Sequence, residues 1–353
     1  MAELAAALRE PELDEAALAT AETVFEEISR GVCAARSRLC TAGSVQKLNE
    51  RARYLMNRDA RRGLLLARLS SMIAPRVRYS TRAAASQMER LTADAFYLCA
   101  WGYLRCRHCH EAKEAAERAM WAYRITASPD DIRRELAMVE MAYGQIVFYR
   151  GNTERGLRIM ARAAEVVLHA CNDRRLYTIA MSTYAGLLAV QHRYRLALRA
   201  LDEAIFYAPG CADEKLLIAS ILHVVSFIAA EMGLTGALPC RNISSERLAQ
   251  YELDSEIPKS RYLTYALLKR EGKYEEALSE LYMIRQEFID RDLPVVAAQT
   301  VVQIVEMLIR LGRYSEARSL GHDALEILTK DGVEFDAAML RALLAKRKLR
   351  RGR

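Results

Sequence analysis

A forty-residue period governs what this chain can fold into. Small residues stand at Ala112, Gly156, Ala197, Ala237, Ala277 and Ala317, at intervals of 44, 41, 40, 40 and 40 residues. Twelve positions before each lies a helix-contact position, held by Ala100, Gly144 and Ala185 in the first three copies and by Val225, Tyr265 and Val305 in the last three. One helix pair cannot bury its own apolar faces, so a motif recurring at this length implies units that stack on one another. The fold class that follows is all-α, an α-α superhelix or solenoid of about six stacked antiparallel helix pairs. Few glycines and prolines and no alternating β-branched runs agree with it.

The turn inside each unit is the second mark of the repeat. Gly151, Gly272 and Gly312 occupy it in three copies, where a positive φ costs glycine little. Two residues on, Tyr194, Tyr274 and Tyr314 are placed to cover the turn, and Cys109 takes that place in the first copy. The clearest copies are Gly272-Lys273-Tyr274-Glu275-Glu276-Ala277 and Gly312-Arg313-Tyr314-Ser315-Glu316-Ala317. Together these units resemble tetratricopeptide repeats, with Pro209 at that family's closing-proline position, over roughly residues 93 to 340. The period exceeds the family's usual length of about 34 residues. That implies longer helices and is similar to arrays found in bacterial regulatory and signalling proteins.

The resemblance implies a non-enzymatic scaffold or regulatory adaptor that receives a protein or peptide on a concave wall lined by the first helix of each unit. Its presumptive contact positions are Tyr97, Trp101, Arg105, Gln145, Tyr149, Ser182, Tyr262, Lys269, Arg270, Glu306 and Arg310. Aromatic rings and guanidinium planes are the usual anchors of such recognition. Val302, the equivalent of Tyr262 one unit later, reads as packing. No cofactor is implied. Neither a nucleophile elbow, a phosphate-cradling glycine loop, a His-Glu-x-x-His helix nor a dinucleotide fingerprint is present.

The organisation read from the sequence is a helical leader over 1–78, the array over 79–345 and a basic tail over 346–353. In the leader, Leu13 to Leu39 reads as an amphipathic helix. Ser44 is placed to cap a second helix from Val45 to Met56, and Asp59 a third that ends before Pro75. The fourth unit's second helix runs into Pro239, Cys240 and the stretch from Asn242 to Glu246, which reads as an irregular loop.

Charge divides the leader. Residues 1–30 carry two basic and eight acidic side chains, whereas residues 31–90 carry thirteen basic and three acidic. The basic stretch, with Arg51, Arg53, Arg58, Arg61 and Arg62, suits either a solvated helix face or a nucleic-acid contact, the alternative function being a transcriptional regulator. A second alternative is a zinc or redox sensor at Cys106 and Cys109, flanked by His108 and His110. Against it stands the register, which gives Cys109 a structural place over the turn.

Leu216 to Ala230 is apolar apart from Ser220, His223 and Ser226, nearly the length of a membrane span. Val225 lies on the repeat grid, so a buried first helix explains the composition and no span is expected. The N-terminal residues lack the pattern of a secretory signal, and eight cysteines without such a leader point to the cytoplasm.

Overall fold

The computed structural model describes residues 40–126, 132–233 and 256–345, together with Ala21 and Val24. Most of the leader helix expected over Leu13 to Leu39, the anchor Ala237, the loop from Asn242 to Glu246 and the basic tail lie outside the described residues. Those residues form fourteen α-helices and no strand. Their contacts divide the chain into two compact units.

The first unit comprises residues up to Cys106 with His110–Tyr143. Its helices are α1 (Ala42–Leu55), α2 (Ala60–Ile73), α3 (Arg82–Arg105), most of α4 (Cys109–Thr126) and the start of α5 (Arg133–Tyr149). Thr41, not Ser44, caps α1: its side chain accepts the Ser44 amide at 3.1 Å, so the helix opens three residues earlier than the sequence suggests. Both residues can serve as caps, and Thr41 adopts the extended backbone that a cap requires. Asp59 caps α2 as expected, accepting from the Arg62 amide at 3.0 Å, and the helix ends before a 3-10 turn containing Pro75. Asn49 ties α1, α2 and α3 together, accepting from the Ser70 hydroxyl at 2.7 Å and donating to the Leu91 carbonyl at 2.9 Å. A buried polar pair with both partners satisfied costs little and fixes the register.

The second unit comprises Arg107–Cys109 and residues 144–353. It contains the end of α5 and then α6 (Thr153–His169), α7 (Arg174–Val190), α8 (Tyr194–Tyr207), α9 (Glu214–Met232), α10 (Glu256–Arg270), α11 (Tyr274–Asp290), α12 (Pro294–Arg310), α13 (Tyr314–Lys330) and α14 (Glu334–Ala345). Helices α7 and α8, α10 and α11, and α12 and α13 pack as antiparallel hairpins, and the turns fall on the grid. Gly151, Gly272 and Gly312 have φ of 90°, 77° and 75°. Arg107 and His192 stand at the same position in copies without glycine and adopt φ of 65° and 59°. Geometry there is set by the hairpin and imposed on residues that pay for it with Cβ crowding.

Small anchors mark the closest helix crossings. A β-carbon on Gly156 would lie 2.5 Å from the Gly144 carbonyl oxygen and 2.7 Å from the Phe148 amide nitrogen. Ala112, Ala197 and Ala277 are fully buried, and Ala317 nearly so. Val302 is buried, as its reading as packing requires. Helix α9 is the one described helix long and apolar enough to cross a membrane, and it packs against α7, α8 and α10.

One feature departs from a simple stack, in which each repeat touches only its neighbours. Within the second unit the last described helix and the turn before it return to the first residues. His108 Nδ1 lies 2.5 Å from the Asp331 carboxylate, and the Cys109 amide donates to the Asp331 carbonyl at 2.9 Å. Phe148 packs on Phe335 with ring centroids 5.0 Å apart.

Candidate functional site

Two polar ladders run through the second unit. One joins the second helices: Tyr282 of α11 donates to Glu316 of α13 at 2.8 Å, and Arg313 reaches Glu275 at 3.2 Å. The other joins first helices and contains Lys269, Glu306 and Arg310 of the contact positions read from the sequence. Lys269 of α10 lies between two carboxylates, 3.3 Å from Glu306 of α12 and 4.0 Å from Glu231 of α9. Glu306 also accepts from Arg310 one turn on, at 2.9 Å, while the Arg310 guanidinium lies 5.4 Å from the centre of the Tyr274 ring. Three predicted residues thus form one cluster of alternating charge. Glu231, missed in the sequence, completes it.

Arg270 serves a different end. Its guanidinium lies against Gly233, where a β-carbon would fall 1.6 Å from Cζ. Gly233 closes α9 in the left-handed conformation with φ of 74°. A cation over a helix C-terminus meets the negative pole of the dipole, so Arg270 stabilises the end of α9.

Tyr149 and Tyr262 belong to a second cluster, and its other members were not singled out in the sequence. The Arg107 guanidinium stacks 4.0 Å from the centre of the Tyr149 ring, donates to the Tyr149 hydroxyl at 3.0 Å and donates through Nε to Gln299 at 2.9 Å. Gln299 donates in turn to Asp336 at 2.6 Å. Tyr262 meets the Thr300 hydroxyl at 2.7 Å. Burial pushes the Tyr262 hydroxyl up to about 12, the Thr300 hydrogen bond pulling the other way.

Burial also raises the pKa of Asp336 above its ordinary value of 3.8, with Gln299 and Arg107 opposing the rise. The folded protein therefore holds this proton more tightly than the unfolded chain. Stability from this group is greatest below pH 3.8 and falls as pH climbs through the folded value. Replacing Asp336 by Asn, which keeps an acceptor for Gln299, removes that decline. Urea unfolding measured from pH 4 upward should show a flatter stability profile for Asp336→Asn than for the wild type; parallel profiles would mean that the carboxylate does not titrate in this way.

The remaining predicted positions are distributed. In the first unit Tyr97 and Trp101 stack with centroids 6.3 Å apart, and Arg105 closes α3. Burial pushes the Tyr97 hydroxyl up to about 12. Gln145 and Ser182 are half-buried on α5 and α7. Cys106 and Cys109 flank the turn and are both buried, and burial pushes the Cys109 thiol up to about 12, against the thiolate that metal binding or redox reactivity needs. Among the described residues no group of three or more potential ligands converges on one point. In the basic stretch Arg58 lies over the Tyr54 ring at 4.0 Å and Arg62 pairs with Asp59 at 3.2 Å, local contacts of a helix surface.

No family model matches this sequence, and no curated protein matches it. Solved structures share its fold. A Rap protein in complex with competence and sporulation factor matches at 12% identity and a TM-score of 0.50, over 88% of this chain and 100% of that one. Aspartyl phosphate phosphatase F from Bacillus subtilis matches at 12% identity and a TM-score of 0.57, over 90% of this chain and 76% of that one. At this identity the likeness establishes the helical-repeat fold.

Proposed function

We propose that this protein is a non-enzymatic regulatory adaptor of tetratricopeptide type that receives a protein or peptide on the first-helix wall of its larger unit. One observation carries the reading: aromatic, cationic and carboxylate side chains from four successive first helices, α9, α10, α12 and α14, meet in two polar clusters and hold one another in place. A partner meeting such a wall finds its contacts already ordered, which lowers the entropy lost on binding. The Rap structure of similar fold was solved with competence and sporulation factor, and the proposed use of the fold here is of the same kind.

The carboxylates of Glu306 and Asp336 are engaged by Lys269 and Gln299, and the hydroxyls of Tyr149 and Tyr262 by Arg107 and Thr300; among the described residues none of these is paired with a base as a nucleophile would be. A reducing cytoplasm suits Cys99, Cys109 and Cys211, which stand as thiols.

Photo-crosslinking in the native host tests the reading. A crosslinking amino acid at Gln145 or Ser182 on first helices should trap a discrete adduct, while the same group at Arg158 or Ser279, exposed on second helices, should trap none. Equal trapping from both sets, or none from the first helices, would reject the wall as the binding surface.

A further inference from the structure

Among the described residues, no helix packs on one side of α14, the last described helix. Glu334 opens α14 forty residues after Pro294 opens α12, so α14 stands as the first helix of another pair. In the pairs before it the second helix covers the first, as α8 covers α7, α11 covers α10 and α13 covers α12. Helix α14 packs on α12 and α13, with Leu344 seated against Gly321, where an added β-carbon would lie 3.1 Å away. Beside this contact lies an open groove of about 430 Å³, floored by Tyr314, Leu325, Leu343 and Leu344.

Its rim has one sign of charge. Arg318, His322 and Arg341 line the groove, and among the described residues no carboxylate does. Glu334 reaches Arg341 at 3.1 Å from outside it. Residues 346–353 add six more cations and a single leucine, which makes that stretch a poor electrostatic match for the groove it follows.

We propose that this groove docks an amphipathic helix from a partner protein, apolar on one face and flanked by glutamate or aspartate. The occupant takes the place that a second helix holds in every complete pair. Its apolar face covers Leu325, Leu343 and Leu344, and its acidic flank meets Arg318 and Arg341. This site is separate from the first-helix wall and does not depend on what that wall binds.

Fluorescence anisotropy with a labelled synthetic helix provides the test. The probe is an 18-residue peptide with leucines at helical spacing and glutamates on both flanks; its comparison has lysines in place of the glutamates. The acidic peptide should bind saturably and at least about tenfold more tightly than the basic one, weakening as salt rises. Arg318→Glu, at an exposed rim position, should cost about tenfold or more, as should Leu344→Glu. Arg318→Glu keeps the test valid if Leu344→Glu disturbs the packing of α14. Equal binding of the two peptides, or an unchanged affinity in Arg318→Glu, overturns the proposal. So does a concentration-dependent dimer abolished by Leu344→Glu, since a second copy would then be the occupant. Loss of binding here with first-helix adducts intact separates this site from the adaptor reading.

Discussion

Gly156→Ala should destabilise the protein, although alanine is the better helix former. Propensity alone would favour the substitution by about 1 kcal/mol. Sterics oppose it, because the new methyl would sit 2.5 Å from the Gly144 carbonyl oxygen and 2.7 Å from the Phe148 nitrogen, and both are backbone atoms that no rotamer change can move. Relieving the clash means separating α5 from α6 at their closest crossing, and overpacking of this kind costs about 1–3 kcal/mol, occasionally more. A net loss of up to about 2 kcal/mol should lower the melting midpoint by up to about 8 °C in a unit of this size. The control lies one hairpin on. Gly186 sits inside α7 with nothing within 4 Å of an added β-carbon, so Gly186→Ala should raise stability by about 0.5–1 kcal/mol. Circular dichroism melts of the two variants should move in opposite directions. A stable Gly156→Ala would show that the crossing is looser than its backbone distances indicate.

That contrast also shows which features were legible in the chain itself. The period placed Gly144 and Gly156 at a helix crossing and put the turns at Gly151, Gly272 and Gly312, because these positions demand a residue type and glycine or alanine leaves a visible mark. It equally placed a turn at Arg107 and at His192, yet nothing in those residue types announces φ of 65° and 59°. The first cap was misplaced for a similar reason: Thr41 and Ser44 both carry a hydroxyl suited to capping, and only backbone geometry separates them.

The candidate wall was legible in part. Lys269, Glu306 and Arg310 were marked as first-helix surface, and spacing along one helix or between neighbouring copies suffices to find such positions. Their convergence with Glu231 follows from stacking, which the sequence does imply. The Arg107 cluster could not be found this way, since Arg107 and Gln299 are separated by 192 positions and periodicity describes neighbours only. A signal existed nonetheless. Arg107 occupies a turn position that favours glycine, and an arginine kept in a left-handed conformation invites the question of what its side chain holds.

Substitutions at Arg107 answer that question by separating backbone from side chain. Arg107→Gly relieves the left-handed strain of about 1–2 kcal/mol but deletes the guanidinium. Arg107→Ala deletes the guanidinium and keeps the strain. The side chain contributes its stacking on Tyr149, about 1 kcal/mol or more where partly desolvated, and hydrogen bonds from a charged donor to Gln299 and Tyr149, about 1.5–3 kcal/mol. Both variants should therefore lose stability, Ala by about 3 kcal/mol and Gly by about 1–2 kcal/mol less than Ala. Lysine keeps the charge near Asp336 but cannot reproduce a planar donor stacked on the ring, so Arg107→Lys should fall between wild type and Ala. If the guanidinium acts through Gln299, Arg107→Ala and Gln299→Ala combined should cost less than the sum of each alone, with a coupling of about 1 kcal/mol or more. Hydrogen exchange should locate the loss at both ends of the closure, in residues 147–152 and 331–336. Additive effects, or faster exchange confined to the 107–109 turn, would show that the last helix is held against the first residues by Phe148, Phe335 and the Asp331 contacts without help from Arg107.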